Sequence, residues 1–284
     1  MRERIACFWQ DEKGGTDGIV LILHFKIFLS IVPMIVSYKE DGWHIVTQRS
    51  HGILAAQIAA NWRVKDRPER WIETLLAIAE HDDAEVELEG ENLVTPAGGP
   101  VNFDMNSFDL AHYEKLSRLT LTKNRYIALL ISLHIEFLNR PAAANNIECK
   151  KFLKKQATLR EKWRKALNIT ETETLRIYNL IEWCDAFSLL LCQRLLPPEK
   201  RKLEISTGPE KKMYYLVQID SETLTVQPWP FETTNFHLSY EYRIIKQLEF
   251  SSSADFRQAF LKAPVKEQIW NLSKQIAHEK KSKV

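Results

Sequence analysis

Cysteine is scarce in this chain. Its four residues, Cys7, Cys149, Cys184 and Cys192, form no CxxC pair in 284 residues. That excludes a disulfide scaffold and reads as reduced thiols in a cytoplasmic protein. A charge excess is lacking too: 39 Lys and Arg stand against 37 Asp and Glu, leaving +2. Overall charge therefore gives no reason to expect nucleic acid or a membrane surface as partner. No apolar run is long and clean enough to span a bilayer, which takes about 20 residues. The one candidate, from Ile19 to Val36, is interrupted by His24, Lys26 and Pro33. It is also a poor signal peptide, because acidic and Gly-rich sequence separates it from the charged start. Also missing are the GxSxG elbow, the Walker loop, GxGxxG, and any RNA-recognition or finger pattern. Serine-nucleophile, P-loop and dinucleotide chemistries lose their usual support.

Patterned sequence begins at Met34, and residues 1–33 read as an N-terminal extension. IVSY and WHIVTQ flank a KEDG turn, and Asp41-Gly42 between two β-prone runs predicts a hairpin. From Ser50 to about Leu196 the periodicity is helical. Ser50 is a candidate N-cap for a helix with His51, Leu54, Ala55, Ile58 and Trp62 on one stripe. Pro68 opens a second helix, whose stripe of Trp71, Leu75 and Ile78 continues to Asp82. Residues 86–106 carry Gly90, Pro96, Gly98, Gly99 and Pro100 and predict a long loop of the kind that serves as a lid or a binding segment. Helices follow from about Ser107 and Asn124. The second places Ile127, Leu130, Ile131, His134 and Leu138 on one face and breaks at Pro141. KKFLKKQATLREKWRK predicts a helix with a solvated basic face, and the last helix aligns Tyr178, Ile181, Asp185, Leu189 and Cys192. After Pro197-Pro198 the runs LEIST, MYYLVQI, TLTVQP and FHLSYEYRII alternate as strands of an antiparallel meander, and SSSADFRQAFLKA predicts a short helix.

Ionisable residues at core positions are what this pattern has in place of a motif. His51, His81 with Asp82, His134 and Asp185 sit where the periodicity asks for apolar side chains, and burying them is costly without hydrogen bonds or a metal. Imidazole and carboxylate together suit Zn, Mn or Fe. Any one of them alone is more often a hydrogen-bonded core residue than a ligand. His134 is open between binding phosphate, acting as general acid and donating to a backbone carbonyl. Asp83 is a candidate supporting acid at the helix end. His44, His112 and His237 lack such neighbours and read as structural or surface residues. Adjacent helical residues point about 100° apart, so His81 and Asp82 can share an ion only by converging from a helix end.

The order His, His-Asp, Asp resembles the HD superfamily of metal-dependent phosphohydrolases. That resemblance implies His51, His81, Asp82 and Asp185 as ligands of a divalent metal, with His134 and Asp83 as catalytic candidates. A longer resemblance, carried by MIVSYKEDGWHIVTQRSHGILAAQIAANW, LAIAEHDD, IALLISLH, LIEWCDAFSLLLC and QPWPF, is to the bacterial family catalogued as domain of unknown function 3891. It implies a fold but no substrate. Where that family continues its His-Asp-Asp with Gly-Trp, this chain has Ala84-Glu85.

The expectation is therefore a mainly α protein: an HD-like helical domain over 34–196 that opens on a β-hairpin. A small antiparallel β subdomain with a terminal helix follows over 197–264, and a tail over 265–284. Two functions fit it: a metal-dependent phosphohydrolase of a small phosphorylated metabolite or nucleotide, or a non-catalytic module binding a metabolite or partner in the same pocket.

Overall fold

The computed structural model describes residues 34–83, 87–105 and 108–274. The expected extension over 1–33, the Ala84-Glu85 departure and the HEKKSKV end lie outside the described residues. Strands Met34–Lys39 (β1) and Gly42–Thr47 (β2) lead into helices Gln48–Ala60 (α1) and Trp71–Ala79 (α2). Four more helices follow: Leu110–Lys123 (α3), Arg125–Ala143 (α4), Ile147–Leu167 (α5) and Glu171–Gln193 (α6). The rest of the described chain is Leu203–Glu204 (β3), Tyr215–Gln218 (β4), Thr223–Gln227 (β5), Asn235–Ile245 (β6), Ser253–Lys262 (α7) and Val265–Ser273 (β7).

The mainly α expectation with a small C-terminal β subdomain is overturned. The strands form one seven-stranded sheet in the order β1-β2-β6-β7-β5-β4-β3. The N-terminal hairpin joins it because β2 pairs with β6, Trp43 opposite Ile245. It is mixed rather than a meander, since β5 runs parallel to β7. The segment from 265, expected as a tail, is β7, paired antiparallel to β6 with Val265 opposite Arg243 and Ser273 opposite Asn235. Alternation of apolar residues shows that a segment is a strand but not which distant strand it adjoins. In β7 even the alternation is faint, with only Trp270 and Leu272 buried.

Local chemistry sets the helix ends. Thr47, not Ser50, caps α1: its Oγ1 accepts from the Ser50 N–H at 3.1 Å. Asp109, Asn124, Asn146 and Thr170 cap the next four long helices in the same way. Pro141, expected to break α4, lies inside it near the C-terminal end. There the ring costs only the hydrogen bond of one late turn.

Helix α1 packs against α2, α6 and β6. Gly52 makes the α1–α2 approach possible, because a Cβ there would collide with the Ala79 carbonyl oxygen. Beneath, Trp62, two residues past the end of α1, meets Trp183 of α6 edge-on at 5.0 Å, with Tyr214 and Phe231 closing the cluster. Full burial of one such indole stabilises by roughly 4–6 kcal/mol as an upper bound. A second core of Met34, Ile45, Leu93, Val101, Ile245, Phe250, Phe256 and Phe260 seats residues 87–105 on α7. Arg257 of α7 donates to the Leu88 and Gly90 carbonyls. The segment expected as a lid is thus pinned to a helix. No helix among the described residues is long and apolar enough to cross a membrane, and described Cys149, Cys184 and Cys192 are free and buried.

Candidate metal centre

Four helices deliver five side chains to one point. His51 comes from the first turn of α1, His134 from α4 and Asp185 from α6. Helix α2 ends at Ala79, so His81 and Asp82 sit in the turn beyond it. Free of helical geometry, the two neighbours converge. His51, His81 and His134 are at most 1% exposed and Asp185 is 7% exposed.

His51 Nε2 lies 3.0 Å from Asp185 Oδ1 and 3.3 Å from His81 Nε2. His81 Nε2 is 3.3 Å from Asp185 Oδ1 and 3.5 Å from Asp82 Oδ2. His134 Nε2 is 3.3 Å from Asp82 Oδ1, yet meets no hydrogen-bond geometry among the described residues. Two overlapping triads result, His51–His81–Asp185 and His81–Asp82–His134, with ligand atoms within 4.8 Å of one another in each.

The far side of each ring is tied down. His81 Nδ1 is 2.7 Å from the Ile78 carbonyl, which can only accept, so that nitrogen carries a proton. Ser188 Oγ donates to the Asp185 carbonyl at 2.9 Å, so it must accept from His51 Nδ1, 3.0 Å away. His134 Nδ1 faces the Tyr178 hydroxyl at 3.5 Å. Both His51 and His81 therefore turn unprotonated Nε2 lone pairs, when neutral, toward each other and toward two carboxylates. Acceptors facing acceptors in a buried site need a cation between them. Without a metal, His81 supplies it as imidazolium: burial pushes its pKa down, but Asp82 and Asp185 outweigh burial and lift it to about 10. Burial would raise Asp82, but His81 and His134 hold it down at about 2. Asp185 is likewise well below its usual range, against burial, through His81 and His51.

The geometry thus brings together His51, His81, Asp82, Asp185 and His134. Asp83 stays apart: its Oδ1 takes both Nε and Nη2 of Arg49, at 2.9 and 2.8 Å, and it joins neither triad. His44 bonds Asp41 at the hairpin and His237 bonds Asn271 between strands. Sequence reasoning missed Ser188 and Tyr178 as supports of the rings. Ser188 follows Asp185 by one helical turn, the spacing at which a hydroxyl on the same face was findable. The Ile78 carbonyl leaves no signal in a sequence.

The family model described as protein of unknown function (DUF3891) matches residues 34–247. The match takes in all five of these residues, and the chain belongs to that family. No curated protein and no solved structure matches it significantly.

Proposed function

We propose that the protein is a metal-dependent phosphohydrolase of the HD type. It would act in the cytoplasm on a small phosphorylated metabolite or nucleotide. The observation that carries this reading is the orientation of the imidazoles, whose Nε2 atoms meet two carboxylates while their Nδ1 atoms are engaged behind. His51, His81, Asp82 and Asp185 would hold a divalent ion such as Mn, Zn or Fe, for which this mixed nitrogen and oxygen set is suited. Such an ion supplies charge for phosphoryl oxygens and a lowered pKa for water. In hydrolysis the water oxygen bonds to phosphorus as the bond to the leaving oxygen breaks. The water proton passes to a carboxylate of the cluster, and His134 gives a proton to the leaving oxygen. Asp83 holds Arg49 at the mouth and has no direct part.

Metal analysis of protein purified without chelator, followed by a panel of nucleotides and sugar phosphates, tests this. The expected result is stoichiometric transition metal, turnover, and a fall in kcat of about 10²-fold for His134→Gln with metal retained. A second reading, a non-catalytic metal-binding module, is favoured by the tight mouth of the site, lined by Gln48, Arg49, His81, Asp82, Asp83 and Glu87. Metal without turnover across the panel would select it.

A further inference from the structure

One buried polar atom at the mouth is unaccounted for. Gln48 is the first residue of α1, one turn before His51, and only 8% exposed. Its Nε2 points to Asp82 Oδ2 at 3.5 Å. Its Oε1 is fully buried and accepts nothing among the described residues. Exchanging the two amide atoms does not help, because it would aim an oxygen at a carboxylate. A buried amide oxygen left unsatisfied is costly, so a donor belongs there.

The described neighbouring groups do not provide it. The Arg49 guanidinium is committed to Asp83, and the Arg49 backbone N–H donates to Glu87 Oε1 at 3.1 Å. Asp82, Asp83 and Glu87, which line the same cleft, offer acceptors when ionised. The cleft leaves about 10 Å³ for the centre of a water molecule, room for one. One water among an amide oxygen and carboxylates has its two protons accepted and its lone pairs left over.

Resting on the hydrolytic reading above, we propose that Gln48 is a positioning residue. Its Oε1 accepts one proton of a single water in the cleft beside Asp82, turning that water's lone pair toward the reacting phosphorus. As the oxygen bonds to phosphorus the bond to the leaving oxygen breaks and a carboxylate lining the cleft takes the other proton, while the amide remains unchanged.

A crystal structure of the full chain at a resolution that shows ordered water is the first test. A water within about 3 Å of Gln48 Oε1 and in reach of Asp82 is expected. A protein donor on Oε1, or a dry contact, overturns the proposal. The second test is Gln48→Met, which keeps the length and removes the acceptor. It should retain metal content and circular dichroism, lose that water, and lower kcat about 10-fold with KM within about twofold. An unchanged kcat, or a change in KM alone, overturns the positioning role. Wild type that shows the water but turns over no phosphoester sinks the hydrolytic reading and leaves the water site standing.

Discussion

Helix α4 carries two buried polar clusters that solve opposite problems. Around Ser132, Arg160 of α5 donates to the Ser132 carbonyl and hydroxyl, each at 3.1 Å, and to Glu136. Ser132 donates to Gln156, which donates to Ser117 at 3.1 Å. Each of these donors meets an acceptor. Around His134 acceptors crowd together instead. The electrostatics differ accordingly: at Arg160 burial prevails over Glu136 and the pKa falls, whereas at His81 the carboxylates prevail over burial. A satisfied network holds two helices together, whereas the cluster around His134 leaves an imidazole nitrogen without a hydrogen-bond partner among the described residues.

Reciprocal substitutions test that contrast most strongly. Asp185→Ala should abolish stoichiometric metal binding while leaving helical content intact, because it removes the carboxylate that His51 and His81 share. Arg160→Ala should leave metal content unchanged and cost about 2–3 kcal/mol, since Ser132 and the partly exposed Glu136 lose their donor. Metal analysis and chemical denaturation on both variants decide it; equal effects of the two on metal would erase the distinction.

A smaller effect is expected behind the ring. Ser188→Ala removes the only acceptor described for His51 Nδ1, and metal affinity should fall about 10- to 100-fold. Titration against a competing chelator measures it, and an unchanged affinity would mean that packing alone orients His51.

The smallest is the pH dependence of the metal-free protein. The raised pKa of His81 contributes stability that is complete below its ordinary value of 6.5 and lost as pH rises through about 10. The depressed pKa of Asp82 contributes stability present above 3.8 and lost as pH falls through about 2. Melting in the presence of chelator should therefore show a maximum between about pH 4 and 6.5. Asp185→Asn, which removes one of the charges raising His81, should flatten the alkaline limb. A wild-type Tm that does not fall between pH 6.5 and 10 would count against a charged His81.

The site was more legible in the sequence than the fold. His51, His134 and Asp185 stood out because each occupies a helical position that otherwise demands an apolar side chain. His81 and Asp82 converge only because α2 stops at Ala79, two residues earlier than a helix running through His81 would. Ser188, an unremarkable serine in a helix, gains meaning only when His51 is placed beside it from 137 residues away. The sheet was read as a local meander because each strand's alternation is local, while β2 finds β6 across some two hundred residues. Val265–Ser273 passed for a tail because Lys266, Glu267 and Gln268 look solvated, and only its neighbours make it a strand.

That strand also orders events in time. Residues 34–47 and 235–245 hold one half of the sheet, residues 203–227 the other, and among the described strands 265–273, later in sequence than either, bridges them. During synthesis from the amino end, all five ring and carboxylate groups leave the ribosome before the bridge does. The helices can gather around His51 and Asp185 while the two half-sheets still wait with open edges. A nascent chain that ends before residue 265 would thus hold all five of these groups while the strand edges that β7 covers, on β6 and β5, are still open to pairing with a neighbour.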